Sequence, residues 1–257
     1  LSDNMGKVYF ISDAHLGSLA IEDRLEQEKR LVRFLDSIRN DAEQIYMLGD
    51  MFDFWYEYRY VVPKGFTRFL GKISELTDNG VQVHYLLGNH DMWMYGYLQT
   101  ECGVILHEGP VTVTMGGKKF FLAHGDGMGD PDRWFRILRR IFYSKTCRFL
   151  FSLLPTCWSM KFGLGWAGNS MEKHRLEQGV SEYLGEDREF QVLFAKDYLK
   201  THPDINYFVM GHRHIELDLM LSRSSRILIL GDWISHTTYA CFDGERLLMD
   251  SFEQENC

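Results

Sequence analysis

The chain has 257 residues, 45% of them hydrophobic, with 28 basic against 36 acidic side chains and a net charge of −8. That length suits one domain with a sizeable core, and no stretch reaches the roughly 18 uninterrupted apolar residues of a spanning helix. The overall charge taken alone argues against a nucleic-acid binder. The five scattered cysteines (Cys102, Cys147, Cys157, Cys241 and Cys257) form no CxxC pair, which disfavours a disulfide framework or a structural zinc site.

The opening residues 1–7 are short and polar, so no cleavable leader is expected there. Val8–Ser12 reads as a buried strand ending in Asp-Ala-His, and Glu22–Asn40 follows with Leu25, Val32, Leu35 and Ile38 at helical spacing. Ile45–Leu48 is a second apolar run, ending in Gly-Asp. Phe66–Asp78 reads as a helix stopped by Asn79-Gly80, and Val81–Leu87 is a third strand, ending in Gly-Asn-His-Asp. The first ninety residues therefore read β-α-β-α-β, the pattern of crossover units.

Val104–His107, Val111–Met115 and Lys118–Ala123 are short and close together, with Gly116-Gly117 as a hairpin turn. A basic, aromatic, mostly helical stretch covers about 128–200. Strands return at Tyr207–Met210, Leu217–Leu221, Ile227–Leu230, Thr237–Phe242 and Leu247–Met249. The expected organisation is one two-sheet α/β domain over 1–257 with a helical insertion at 128–200.

Five motifs each follow a short apolar run: Asp13 and His15 in Asp-Ala-His, Asp50 in Gly-Asp-Met-Phe-Asp, Asn89 in Gly-Asn-His-Asp, His124 in Ala-His-Gly-Asp, and His212 with His214 in Gly-His-Arg-His. A lone Asp-x-His usually means nothing and a lone buried histidine is usually core, but the ordered set points to metal. Side chains two apart on an extended strand point the same way, so Asp13 with His15, and His212 with His214, are expected to approach one metal-bearing face together. Carboxylate, imidazole and amide donors suit Mn²⁺, Fe²⁺ or Zn²⁺, and two such ions about 3.5–4 Å apart can hold the attacking and leaving oxygens of a phosphoryl displacement.

This set resembles the calcineurin-like metallophosphoesterases over nearly the whole chain. The resemblance implies a four-layer α-β-β-α sandwich with two metals at the sheet ends. Asp13, His15, Asp50 and His214 would hold one ion; Asp50, Asn89, His124 and His212 would hold the other, with a bridging water as nucleophile. It also implies that His90 pairs with an acid, here Asp53, and protonates a leaving oxygen. Three further features are similar to a narrower family of lipid A pathway hydrolases: Leu48-Gly49-Asp50-Met51-Phe52-Asp53-Phe54-Trp55, the insertion before Gly211-His212 with Ala167-Gly168-Asn169-Ser170 inside it, and Leu230-Gly231-Asp232-Trp233. That family cleaves the pyrophosphate of a diacylated UDP-sugar to UMP and a lipid monophosphate, generally with Mn²⁺, at the cytoplasmic face of the inner membrane. Its best-known members have Arg where this chain has His90, which leaves room for another diester or pyrophosphate substrate.

The insertion fits a lipid substrate on composition. Between Arg133 and Arg175 nine basic residues stand against one acid, giving +8 and leaving −16 for the remainder. Basic residues favour an anionic membrane surface and the interleaved aromatics favour its interface. Asn169, Ser170 and Lys173, with Asn89 and His90, are the candidate substrate-binding residues. The competing readings are a phosphoesterase acting on a nucleotide, nucleic acid or phosphoprotein, and a non-catalytic lipid-binding scaffold. No protein partner is implied.

Overall fold

Alternation along the strands sorts the apolar side chains into three cores. The computed structural model describes residues 6–129, 133–165 and 183–252. In β1 (Lys7–Ile11), Val8 and Phe10 point to one face while Tyr9 and Ile11 point to the other, as the two-residue period of a strand requires. The central strands, β1, β2 (Ala42–Met47) and β3 (Gln82–Leu86), are apolar on both faces, and so is β6 (Lys118–Ala123) toward its end. Such strands must be covered on both sides.

The first sheet has six strands in the order β11 (Leu247–Ser251), β10 (Thr238–Phe242), β1, β2, β3, β4 (Ile105–His107). Strands β1 to β4 run parallel and β10 and β11 add on antiparallel. The second sheet has five strands in the order β5 (Val111–Met115), β6, β7 (Tyr207–Met210), β9 (Arg226–Ile229), β8 (Leu217–Met220), with β6, β7 and β9 parallel. The β5–β6 hairpin closes through Gly116 and Gly117, both at positive φ, as a two-residue hairpin loop needs.

Between the sheets lies a core that includes Phe10, Tyr46, Leu86, Phe120, Val209 and Leu228. Helices α1 (Arg24–Ile38), α2 (Thr67–Asp78) and α3 (Tyr97–Cys102) cover the outer face of the first sheet through Phe34, Leu35, Phe69, Ile73 and Leu98. Helix α7 (Phe190–Leu199) covers the second sheet through Val192 and Ala195, against Phe121, Phe208 and Met210. The expected α-β-β-α layering is present.

Among the described residues, the helical stretch expected over 128–200 falls into two groups. Helices α4 (Arg133–Phe142), α5 (Lys145–Ser152) and α6 (156–165) form a cap, whereas α7 belongs to the sandwich. Periodicity alone could not separate them, because both groups bury an apolar stripe; what differs is the surface each meets. The cap sits on a fourth cluster made by Phe54, Tyr56, Met92, Trp93 and Phe151, with Phe142, Tyr143, Met160 and Leu164 packed against it. Two side-chain hydrogen bonds pin it to the body: Tyr56 Oη donates to the Arg148 carbonyl (2.9 Å) and Trp93 Nε1 to the Phe142 carbonyl (2.9 Å).

The inter-sheet core is the test of this layering. Phe10 and Phe120 stack across it with ring centroids 5.9 Å apart, and both are fully buried. Phe120→Ala should cost about 3–5 kcal/mol in denaturant unfolding; a loss below about 1 kcal/mol would mean that the two sheets do not pack through this ring.

Candidate metal centre and active site

The carboxyl ends of the parallel strands of both sheets carry the candidate residues. Asp13 follows β1, Asp50 follows β2, Asn89 follows β3, His124 follows β6, His212 follows β7 and Asp232 follows β9. This is where open parallel sheets place their ligands.

At these ends the backbone leaves the extended region. Seven described non-glycine residues have positive φ, and five of them are candidate ligands: Asp13 (56°), His15 (45°), Asp50 (53°), His212 (71°) and His214 (51°). The left-handed region costs an ordinary residue energy, and such outliers cluster at functional sites. The expectation that Asp13 with His15, and His212 with His214, converge as side chains of an extended strand is corrected here. They lie past the strand ends, and the turns that carry them are fixed by main-chain bonds between neighbouring loops: Asp13 N to Gly49 O (3.1 Å), His15 N to Asp50 O (2.9 Å) and Gly211 N to His124 O (2.9 Å). A Cβ on Gly88 would collide with the Asp50 carboxylate and backbone nitrogen, and one on Gly211 with Ser12 Oγ and Asp13 Oδ2. Glycine there lets the loops close on each other.

Three donor groups result among the described residues, one of them His15 with Asp53 and His90, and the other two match the expected ion sites. In the first, Asp13, His15 and His214 converge: the Nε2 atoms of the two histidines are 3.2 Å apart, and Asp13 Oδ1 lies 3.4 Å from His214 Nε2 and 3.9 Å from His15 Nε2. In the second, Asp50, His124 and His212 converge, with His124 Nε2 at 3.2 Å from both Asp50 Oδ2 and Asn89 Oδ1. Asp50 Oδ2 is also 3.9 Å from His15 Nε2, so this carboxylate stands between the clusters.

The donors fit cations. Asp13 is fully buried, its Oδ2 accepts from His212 N (2.9 Å), and its Oδ1 has no hydrogen-bond partner. A buried, unpaired carboxylate oxygen facing two imidazole nitrogens is costly unless a cation joins them. The opposite ring nitrogens are already engaged: His15 Nδ1 with Asp53 Oδ1 (3.3 Å), His214 Nδ1 with Asp232 Oδ2 (3.2 Å) and His124 Nδ1 with the Leu48 carbonyl (2.8 Å). Contacts of this kind fix the tautomer and aim Nε2 at a metal.

Electrostatics follow the same arrangement. Burial by itself would raise Asp50, but the imidazoles of His124, His90 and His15 hold its carboxyl well below the usual range. Burial would lower His124, yet the charges of Asp50 and Asp13 push it well above the ordinary histidine value. Asp91 is lifted to about 6 by burial and by the charge of Asp50; it accepts from Gly88 N (2.9 Å) and from the Tyr85 hydroxyl, bracing the turn that carries Asn89.

The expected His90–Asp53 pair takes a different form. His90 Nδ1 donates to the Asp53 main-chain carbonyl (2.8 Å) and is 3.9 Å from its carboxylate, which lies closer to His15. His90 N also donates to Asp50 Oδ1 (2.8 Å). Asn169, Ser170 and Lys173 lie outside the described residues. Two supports escaped the sequence reading of the site. Asp232 follows a Gly directly after an apolar run, as Asp50 does, so the same rule would have found it. The buried Arg213–Glu189 pair (2.8 Å) holds the turn between His212 and His214, and no local signal marks Glu189.

From Asn89 and His90 an open cavity of about 980 Å³, counting its mouth, runs beneath the cap and is walled by Phe54, Trp93, Phe142, Phe151 and Phe162. Strand-end carboxylates and imidazoles in two layers, opening on such a cavity, define a class. Residues 6–216 match the calcineurin-like phosphoesterases, and the chain belongs to that family of metal-dependent phosphoesterases. More particularly, it is 41% identical to the UDP-2,3-diacylglucosamine hydrolase of Porphyromonas gingivalis, over 96% of this chain and 98% of that protein. It is also similar to proteins of the same name from Neisseria meningitidis serogroup A (30% identical, 92% of each chain) and Aeromonas salmonicida (28%, 93% of this chain and 91% of that one).

Two outcomes test the centre. Asp232 Oδ1 caps the main-chain N–H groups of residues 234–236 while Oδ2 orients His214. Asp232→Asn keeps the capping oxygen, and so should weaken metal affinity about 10–100-fold in a metal titration with little change in melting temperature; undiminished affinity would remove Asp232 from the centre. Metal also competes with protons on imidazoles of raised pKa, so affinity should climb with pH and be lost as pH falls through the His124 transition. A flat profile would show that His124 does not ligate.

Proposed function

We propose that this protein hydrolyses the pyrophosphate of UDP-2,3-diacylglucosamine to UMP and 2,3-diacylglucosamine 1-phosphate, the lipid A pathway reaction that its sequence resemblance implies. The observation that carries the reading is the cavity, which is continuous from Asn89, His90 and Asp53 to an aromatic chamber under the cap. A substrate with a pyrophosphate head and two acyl chains needs both ends. The names of the relatives support the same choice.

Asp13, His15, Asp50 and His214 hold one divalent ion, and Asp50, Asn89, His124 and His212 hold the other. Nitrogen and oxygen donors without sulfur suit Mn²⁺, with Fe²⁺ and Zn²⁺ compatible. Bound there, the ions supply Lewis-acid polarisation of a phosphoryl oxygen and a water acidic enough to attack phosphorus at neutral pH. Asp50 keeps the two donor sets at fixed spacing, and Asp53 and Asp232 orient His15 and His214. With its Nδ1 proton committed to the Asp53 carbonyl, His90 can donate from Nε2 only as imidazolium. In that state it faces the pyrophosphate as a cation and a proton donor. Asn169, Ser170 and Lys173 complete the proposed substrate contacts.

The cap also suits an anionic membrane surface. Trp134, Ile137, Phe149, Leu150, Leu153, Trp158 and Phe162 are exposed on it, Trp158 to 71%, among Arg136, Arg140, Lys145 and Lys161, which are exposed as well. No helix among the described residues is long and apolar enough to cross a membrane, so the contact proposed is peripheral, at the cytoplasmic face of the inner membrane.

The reading is tested by following UMP release from UDP-2,3-diacylglucosamine in detergent with Mn²⁺ and a chelator control. Release on the order of 1 s⁻¹ or faster, abolished by chelator and by His124→Ala, is expected. Cleavage of a generic diester without UMP release would keep the centre and overturn the substrate. A Phe149→Asp, Trp158→Asp double variant should lose at least about tenfold in partition to anionic vesicles, since each interfacial aromatic contributes on the order of 1.5–3 kcal/mol; equal partition would overturn the membrane contact.

A further inference from the structure

Arg139, on the second turn of α4, is the one permanent cation among the described residues that line the cavity, where it stands with Asp53, Asn89 and His90. It occupies a built seat. Its Nε donates to Asp126, a buried carboxylate two residues after His124. Its guanidinium lies over the Tyr143 ring at 4.5 Å, and the Tyr143 hydroxyl donates to the carbonyl of Gly88 (3.4 Å), the residue before Asn89. Gly127, at φ +71°, leaves room for the arginine stem: a Cβ there would lie 3.1 Å from Arg139 Cδ. The side chain is thus held in register with two ligand-bearing turns although it belongs to the cap.

Among the described residues Asp126 is the only carboxylate that Arg139 pairs with, and it does so through Nε. Among the described residues the two terminal amino groups make no ion pair; Tyr143 is their polar neighbour, and a guanidinium fork has the geometry that recognises phosphate bidentately.

We propose that Arg139 binds the phosphate that leaves when the pyrophosphate is cleaved, an inference that rests on the pyrophosphate reading above. In that step the water oxygen forms a bond to the attacked phosphorus and the bond from that phosphorus to the bridging oxygen breaks. The bond pair passes to the bridging oxygen, which becomes a terminal oxygen of a phosphomonoester, and the water's proton is released to solvent. The charge gathers on the leaving phosphate, which needs a cation more than a proton. A guanidinium, which does not deprotonate in proteins, meets that charge without reorganising.

The experiment compares Arg139→Gln, Arg139→Lys and wild type on two substrates, UDP-2,3-diacylglucosamine and bis(p-nitrophenyl) phosphate, whose leaving group brings no second phosphate. With Arg139→Gln, kcat/KM on the pyrophosphate should fall about 100–1000-fold, at least thirtyfold more than on the diester, and Arg139→Lys should recover part of the loss. Equal losses on both substrates, reproduced by Asp126→Asn, would make Arg139 a strut between cap and body and overturn the proposal. If wild type leaves the lipid uncleaved, the substrate reading fails, and the same comparison on diadenosine diphosphate decides Arg139 separately. Cleavage of no pyrophosphate by wild type would remove both.

Discussion

Two carboxylates, Asp13 and Asp50, are buried to within 2% of completely where the two sheets meet, and the rest of the structure is arranged around that fact. An isolated charge in such a place is unsustainable. Each carboxylate spends one oxygen on a backbone N–H, from His212 or His90, and turns the other toward imidazole nitrogens. The two sheets supply the two halves: Asp13, His15, Asp50 and Asn89 come from the first, and His124, His212 and His214 from the second. The inter-sheet core therefore sets the distance across which a cation can be held, and slippage between layers would be felt at the centre before it was felt anywhere else.

The cap is tied to the same centre by sequence continuity. The loop that begins at Asp50 runs through Asp53 into Phe54 and Tyr56, and the one that begins at Asn89 runs through Asp91 into Met92 and Trp93; these apolar side chains are the seat on which Phe142 and Phe151 rest. Polar ligand and apolar seat lie within a few residues on each loop. The chemistry at one end of the cavity and the packing at the other are built on the same two turns, which is how a small domain keeps a charged head and an apolar tail in register.

Much of this was legible from the residues. The β-α-β-α-β opening, the β5–β6 hairpin and the return of strands after residue 206 follow from apolar runs and glycine turns, because those strands are buried on both faces and their neighbours are not. The candidate set was legible because each member follows a strand end, where a parallel sheet leaves room. What was not legible depends on partners distant in the chain. The left-handed turns at Asp13 and His214 are dictated by hydrogen bonds to other loops, not by local propensity. The split of the 128–200 stretch into cap and sandwich helix depends on which surface each apolar stripe meets. Glu189 matters because Arg213, 24 residues on and between His212 and His214, donates to its carboxylate.

The left-handed candidate ligands have a consequence for how this fold could change. Five non-glycine residues held at positive φ store strain of roughly 1–3 kcal/mol each, and glycine at any of them would relax it. The polypeptide would therefore become more robust by losing its chemistry, a conflict between durability and activity common at working sites. What opposes that drift is the ion itself: bound to the native state alone, it returns folding free energy in proportion to its affinity and abundance. The robustness of this protein would thus depend partly on the supply of metal around it.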